Sequence, residues 1–343
     1  MLPGARRDHA CGRGAPRDSM RETMRALQYS RYGPPEVLEV VELDEPSPRA
    51  GEVKVRVHAA GLNPVDGKIR AGHLRFLPIA DRPPRGCGLD FAGEVVGTGG
   101  AVPNLFPGAR VFGSLSPFRR AGAFAEFVCV VPARIAPLPA ALGYADAAAL
   151  PIAAGTAAQA LIDHARVAPG QRVLVNGAAG GVGHFAVQLA RHLGAHVTGT
   201  CGPDNVAFVR SLGADEVLDY TASDFTSGAT PYDVIFDTTG HSSWQRSRAV
   251  LAPRGVYVNT SPDARAVVTT LAERLVARFA RQRVVGLVLD SGAAAWQRLA
   301  RLVGEGALAP HIREAVGLAA VAQAQRRMEA GHGRGKVVVD PSR

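Results

Sequence analysis

Residues 172–200, RVLVNGAAGGVGHFAVQLARHLGAHVTGT, constrain this chain more than any other stretch. They read as a buried strand over 173–176, a glycine turn, an amphipathic helix through Leu193 and a second strand over 196–200. Two strands joined by a crossover helix run parallel, so the unit predicts a doubly wound sheet. In that setting Gly180, Gly181 and Gly183 have separate physical tasks: a tight turn, a bare backbone that a pyrophosphate can approach, and close helix–strand packing. The helix N-terminus adds amide donors and the positive end of its dipole. Ala179, Gly180, Gly181, Val182 and Gly183 are therefore candidate dinucleotide contacts. Ala178 replaces the first glycine of the usual G-x-G-x-x-G, with Gly177 just before it. An alanine fits there if the position takes a negative φ.

A carboxylate about 20 residues further on would bind the ribose 2′-hydroxyl of NAD. The end of the second strand carries none: residues 198–202 read TGTCG, with Cys201 and Gly202 leaving room for a 2′-phosphate. Asp204 lies slightly too far along and Arg210 is the nearest base. NADP (NADPH) is the expected cofactor. Tyr220, closing the third strand EVLDY, either flanks the adenosine end or caps the sheet.

Around this unit the texture divides the chain. Residues 1–23 carry Arg and Gly without an apolar h-region and read as a disordered extension. Residues 24–150 are short β runs with turn signals, including EVKVRVHAAGL, where Val53, Val55 and Val57 share a face. Residues 151–290 alternate strands and helices, and 291–343 add two helices and a strand KVVVD that returns to the first domain. No apolar run approaches the length of a membrane span. Thirty-nine Lys+Arg against 30 Asp+Glu give +9, but the basic residues are dispersed and not interleaved with aromatic platforms, so no specific nucleic-acid partner is expected. Cys11, Cys87, Cys129 and Cys201 stand too far apart for a disulfide framework or a structural zinc site. A reducing cytoplasm is expected.

The motifs AAGLNPVDGKIRAG, GLDFAGEVVGTG, AAGGVG, LGADEVLDY, YDVIFDTTG and GHGRGKVVV together resemble the medium-chain dehydrogenase/reductase superfamily over residues 24–340. Within it they are similar to the zinc-free quinone oxidoreductase branch, and most to the chloroplast-envelope homologues and reticulon-interacting mitochondrial reductases. A Trp is usual between the Asp and Lys of N-P-V-D-x-K, where Gly67 stands here. The resemblance implies an α/β architecture: a GroES-like β-rich catalytic domain plus a Rossmann domain. It also implies a homodimer, paired along the edge strand VVGLVL. The cysteine that ligates zinc in metal-dependent members is replaced by Asn63, and their Gly-His-Glu by Gly88-Leu89-Asp90, so no metal is expected.

By the same resemblance Asn63 lies at the nicotinamide end, its amide bonding the ribose or acceptor oxygen, or else only caps the turn before Pro64. Lys68, where many quinone reductases carry Tyr, is a candidate electrostatic stabiliser or proton donor. Asp66 is expected to fix the loop through backbone bonds. Thr156 approaches the nicotinamide or serves as a helix N-cap. Leu287 and Leu289 on the last sheet strand, with His332, Gly333 and Arg334 before the closing strand, match positions near the nicotinamide in the reticulon-interacting relatives and complete the candidate cofactor contacts. Phe76, Leu77, Phe91 and Phe118 are candidate walls of an apolar acceptor cleft. The implied activity is zinc-independent, NADPH-dependent hydride transfer to a quinone or an α,β-unsaturated carbonyl. Alternatives are an alcohol or aldehyde dehydrogenase-like enzyme, an enoyl-thioester reductase, or an NADPH-binding sensor or structural protein without turnover.

Overall fold

The computed structural model describes residues 22–77, 79–260, 272–277, 279–331 and 333–343. His332 and residues 1–21 of the expected 1–23 extension lie outside them, whereas Thr23 already opens the strand Thr23–Tyr29. Six strands form one parallel sheet, in the spatial order Glu216–Asp219, His196–Cys201, Arg172–Asn176, Tyr232–Asp237, Leu251–Asn259, Arg283–Gly286. The chain thus winds outward in one direction from Arg172–Asn176, then returns to start again at Tyr232–Asp237. The crevice between those two strands is where such sheets bind ligands. Val173, Leu174 and Val175 are fully buried, as expected of strands covered on both faces. The helix Gly183–His192 buries Phe185, Ala186, Val187, Leu189 and Ala190 and turns Arg191 and His192 to solvent.

Two readings of this sheet need correction. The third strand ends at Asp219, so Tyr220 stands just past it. The last strand is only Arg283–Gly286, and Leu287 and Leu289 follow it. Leu287 N–H still donates to Asn259 O at 2.9 Å. Two residues beyond Val288, however, Gln159 clamps Asp290 by accepting from its N–H at 3.0 Å and donating to its carbonyl at 2.7 Å. That clamp ties the chain to the segment carrying Gln159 in place of the neighbouring strand.

The second sheet runs Ile312–Gly317, Lys336–Asp340, Val53–Leu62, Asp90–Thr98, Arg110–Ser114, Ile135–Pro137, with Phe127–Val130 also paired to Val53–Leu62. Along Val53–Leu62 the side chains of Val53, Val55 and Val57 are buried while Arg56 and His58 are exposed. Phe91 belongs to this core, whereas Phe76 and Leu77 are exposed. Phe91 therefore cannot wall a cleft, because it is packed among Val95, Val111 and Phe124. A small sheet of Glu39–Asp44, Thr23–Tyr29 and Arg85–Gly86 flanks it.

Lys336–Asp340 lies antiparallel to Val53–Leu62, which brings the end of the chain into the N-terminal sheet. A second tie is Trp296 on the helix Ala293–Gly304: it is fully buried and its indole N–H donates to Arg134 O at 2.9 Å. Among the described residues no helix is long and apolar enough to cross a membrane.

Candidate active site

The glycine turn is built from below. Thr200 on the second strand accepts from Gly177 N–H at 3.1 Å and donates to Asn176 Oδ1 at 2.6 Å, while Thr200 O accepts from Ala178 N–H at 2.8 Å. Asn176 also donates to Asp237 Oδ1 at 2.9 Å, lashing the two strands on either side of the crevice together. Gly177 takes the positive φ of +81° and Ala178 does not, so the alanine in the motif costs nothing. At Gly183 a Cβ would collide with the Gly177 carbonyl, so only glycine allows this helix to start so close to the strand. At Gly180 a Cβ would meet only Gly177 O, at 3.3 Å, leaving the crest of the turn open. A half-exposed glycine crest at the N-terminus of a ten-residue helix fits a dinucleotide pyrophosphate.

His184, one residue into that helix, was not singled out by its sequence position. Its ring is fully buried. Its Nε2 accepts from His311 N–H at 3.3 Å, so Nδ1 carries the proton and donates to Gly180 O at 3.0 Å. Burial pushes its pKa down to about 4, and it acts as a neutral brace between the turn and the C-terminal segment. That segment is tied to the turn a second time by Gly335 N–H, which donates to Ala179 O at 2.9 Å.

From Gly335 the chain leads to a buried polar junction. Lys336 Nζ donates to Leu62 O at 2.8 Å and to Asn63 Oδ1 at 2.6 Å. Asn63 Nδ2 in turn donates to Asp90 Oδ2 at 2.9 Å and Gly61 O at 3.2 Å. Asp90 Oδ2 also accepts from Ile152 N–H at 3.0 Å. Asp66 Oδ2 accepts from Asn63 N–H at 2.8 Å, which is the backbone role its position suggests. Burial pushes the Asp66 carboxyl up to about 8, and the nearby Asp90 charge adds to the rise against the Asn63 N–H and Lys336. Burial likewise raises Asp90 to about 6, opposed first by Lys336. Burial pulls Lys336 below the usual lysine range, while both carboxyls favour its charged form.

The other sequence candidates are scattered over several places. Asn63 lies in the junction with its amide turned inward, both N–H groups already donating. Thr156 is not an N-cap: it sits within the helix Pro151–Ala158, whose N-cap is Leu150, and its hydroxyl donates back to Ile152 O at 2.6 Å. Beside it Gly155 lies against Leu289 and Trp296. At the opposite end Cys201 is buried, and Gly202 lies under the half-exposed Tyr220 ring. The Arg334 guanidinium, expected near the nicotinamide, stands instead over Phe208, 5.2 Å from the ring centroid, on the helix Val206–Ser211 that follows the second strand. Gly333 lies near Arg313. Lys68 is half-buried beside a groove lined by Pro34, Pro35, His73 and Met328 and takes no part in the junction. At Gly67 the space is taken by Glu329, which pairs with the buried Arg70.

A glycine turn at the switch point of a parallel sheet, fastened to a β-rich unit by a buried polar junction, is the arrangement of a dinucleotide-binding protein. Residues 49–140 match the Alcohol dehydrogenase GroES-like domain family and residues 212–339 the Zinc-binding dehydrogenase family. The chain is 36% identical over 328 residues to the chloroplastic quinone-oxidoreductase homolog of Spinacia oleracea, covering 93% of this chain and 98% of that protein. It is 32% identical over 337 residues to a chloroplastic NADPH-dependent alkenal/one oxidoreductase of Arabidopsis thaliana, covering 94% and 81%. The structure of the quinone oxidoreductase from Coxiella burnetii matches with a TM-score of 0.84 at 34% identity, covering 93% of this chain and 99% of that one. The chain belongs to the medium-chain dehydrogenase/reductase superfamily, among its quinone oxidoreductase homologues.

The second family's name implies a metal, and the residues present do not fit one. The Asn63 amide oxygen is already taken by Lys336 Nζ, which donates to it at 2.6 Å, and Leu89 offers no donor atom. Among the described residues no three His, Cys, Asp or Glu side chains group as a metal site.

Proposed function

We propose that this protein is a zinc-independent, NADPH-dependent reductase of quinones or α,β-unsaturated carbonyls. The observation that carries the reading is the glycine turn at the switch point, joined through Gly335 and Lys336 to the Asn63 loop. When bound, the nicotinamide supplies hydride to the acceptor. Amides of residues 181–183 hold the pyrophosphate at the helix N-terminus, the Gly180 N–H being used within the turn on Gly177 O. Arg334, reaching toward the helix after the second strand, and Tyr220 over Gly202 serve the adenosine end. A guanidinium there and no acid at 198–202 favour the 2′-phosphate of NADP over a bare ribose. Thr156, Leu287 and Leu289 are assigned to the nicotinamide end. Asn63 acts there by fixing its loop through Lys336 and Asp90. Lys68 is the candidate proton donor.

Quinones and enones delocalise the charge that hydride delivers, so hydrogen bonds in a dry pocket suffice where a simple alcohol would need a Lewis acid. The relatives' names point the same way, to quinone and alkenal/one acceptors. We place the protein in a reducing compartment such as the cytoplasm, in keeping with the free Cys87, Cys129 and Cys201. A homodimer would cover the edge of the parallel sheet.

The test is NADPH and NADH oxidation against quinones, 2-alkenals, enones and simple aldehydes, with and without chelator, for the wild type and Lys68→Met. Chelator-resistant oxidation of NADPH in preference to NADH by quinones or enones is expected, with slower turnover for Lys68→Met. Loss of activity with chelator, or NADPH binding without any active acceptor, overturns the reading.

A further inference from the structure

Only three of the 39 basic residues counted as Lys+Arg are lysines, Lys54, Lys68 and Lys336. The chain uses arginine for nearly every positive charge, yet a lysine occupies the buried junction. Lys336 is 3% exposed, and its Nζ donates to two carbonyl-type oxygens, Leu62 O and Asn63 Oδ1. A buried ammonium is expensive to desolvate, and an apolar side chain of similar length would fill the same volume without that cost. Its stem passes beneath the glycine turn: a Cβ built on Gly181 would lie 3.5 Å from Lys336 Cδ. Its own N–H is fixed to His311 O at 2.8 Å, and the preceding Gly335 N–H to Ala179 O at 2.9 Å. Two adjacent residues therefore touch the turn that faces the pyrophosphate and the loop that faces the acceptor.

We propose that Lys336 is a positioning residue that couples the dinucleotide turn to the Asn63 loop, so that ordering of the turn by bound NADPH also orders the acceptor side. Asp90 completes the coupling by holding Asn63 from one side and the Ile152 N–H of the Thr156-bearing helix from the other. The proposal rests on the assignment of the turn as the NADPH site.

Amide hydrogen exchange of the full chain, with and without NADPH, tests it, alongside NADPH affinity by fluorescence. In the wild type, NADPH should slow exchange at residues 178–183 and, together with it, at residues 61–66. In Lys336→Met, residues 178–183 should still be protected, residues 61–66 should exchange as in the free protein, and the NADPH Kd should rise roughly tenfold. A merely structural lysine would lower the melting temperature and leave the NADPH-induced protection of 61–66 intact, which overturns the proposal. Wild-type protection at 178–183 without any at 61–66 overturns it without needing the variant to fold. No protection at 178–183 overturns the dinucleotide assignment itself, and the coupling with it.

Discussion

His184 owes its protonation state to burial, and that gives it a pH signature. Its folded pKa of about 4 lies below the 6.5 of an unfolded histidine, so between those values the unfolded chain binds a proton that the native protein refuses. Stability contributed by the neutral ring is complete above pH 6.5 and is lost as pH falls toward 4. At pH 5 the loss is about 2 kcal/mol. His184→Asn keeps a donor for Gly180 O but loses the bond from His311 N–H and the packing on Phe185, 3.9 Å away between centroids. It should cost about 1–2 kcal/mol at pH 7.5. Denaturant titrations of both proteins should show that gap closing by pH 5, because only the wild type pays the linkage; a gap independent of pH would mean that the native ring is not held neutral. Residues of this kind were the hardest to read in the sequence. The Gly and Asn positions were found through motif and resemblance, but Lys336 bonds Asn63 across 273 residues. No period or local spacing marks two side chains that meet only when the final strand enters the first sheet.

Elements were more legible. Parallel strands buried on both faces announce themselves as apolar runs, and RVLVN and HVTGT became Arg172–Asn176 and His196–Cys201. Strand ends were less so: nothing in VVGLVL shows that Gln159 will seize Asp290 and end the sheet at Gly286. Thr156 misled for a related reason, since Thr suits an N-cap but here returns its hydroxyl to Ile152 O in mid-helix. The glycine turn separates fold from ligand binding within one element. Gly183→Ala drives a Cβ into the Gly177 carbonyl and must displace the helix Gly183–His192, costing about 1–3 kcal/mol of stability. Gly180→Ala meets only Gly177 O at 3.3 Å; its stability should change by less than about 1 kcal/mol. Its methyl would still stand where the pyrophosphate approaches, and NADPH affinity should fall roughly tenfold. Thermal melts and fluorescence titrations of the pair check this, and equal effects on both measures would contradict the division of labour.

At the scale of the molecule, the parallel sheet is left with Arg283–Gly286 at its edge. Around that edge Leu275, Val276, Phe279 and Val288 are 64%, 53%, 92% and 78% exposed. An open strand edge flanked by large apolar side chains is a pairing hazard unless another chain covers it. A second copy, adding strand to strand across a two-fold axis, would bury both. The opposing term is charge, because each protomer carries +9. Repulsion between two such protomers acts over the Debye length, about 30 Å at 0.01 M salt and about 10 Å at 0.1 M. Apolar burial at the edge is not weakened by salt. Dimerisation should therefore tighten as salt is raised from low to physiological ionic strength, the reverse of an interface held by salt bridges. Sedimentation velocity at micromolar protein should give twice the 35.8 kDa chain mass at physiological salt. Phe279→Asp with Val288→Lys removes exposed apolar surface without touching the core, so the doubly substituted protein should keep its far-UV circular dichroism and sediment as a monomer. A wild type that stays monomeric at every salt concentration would leave that edge without a second copy to cover it.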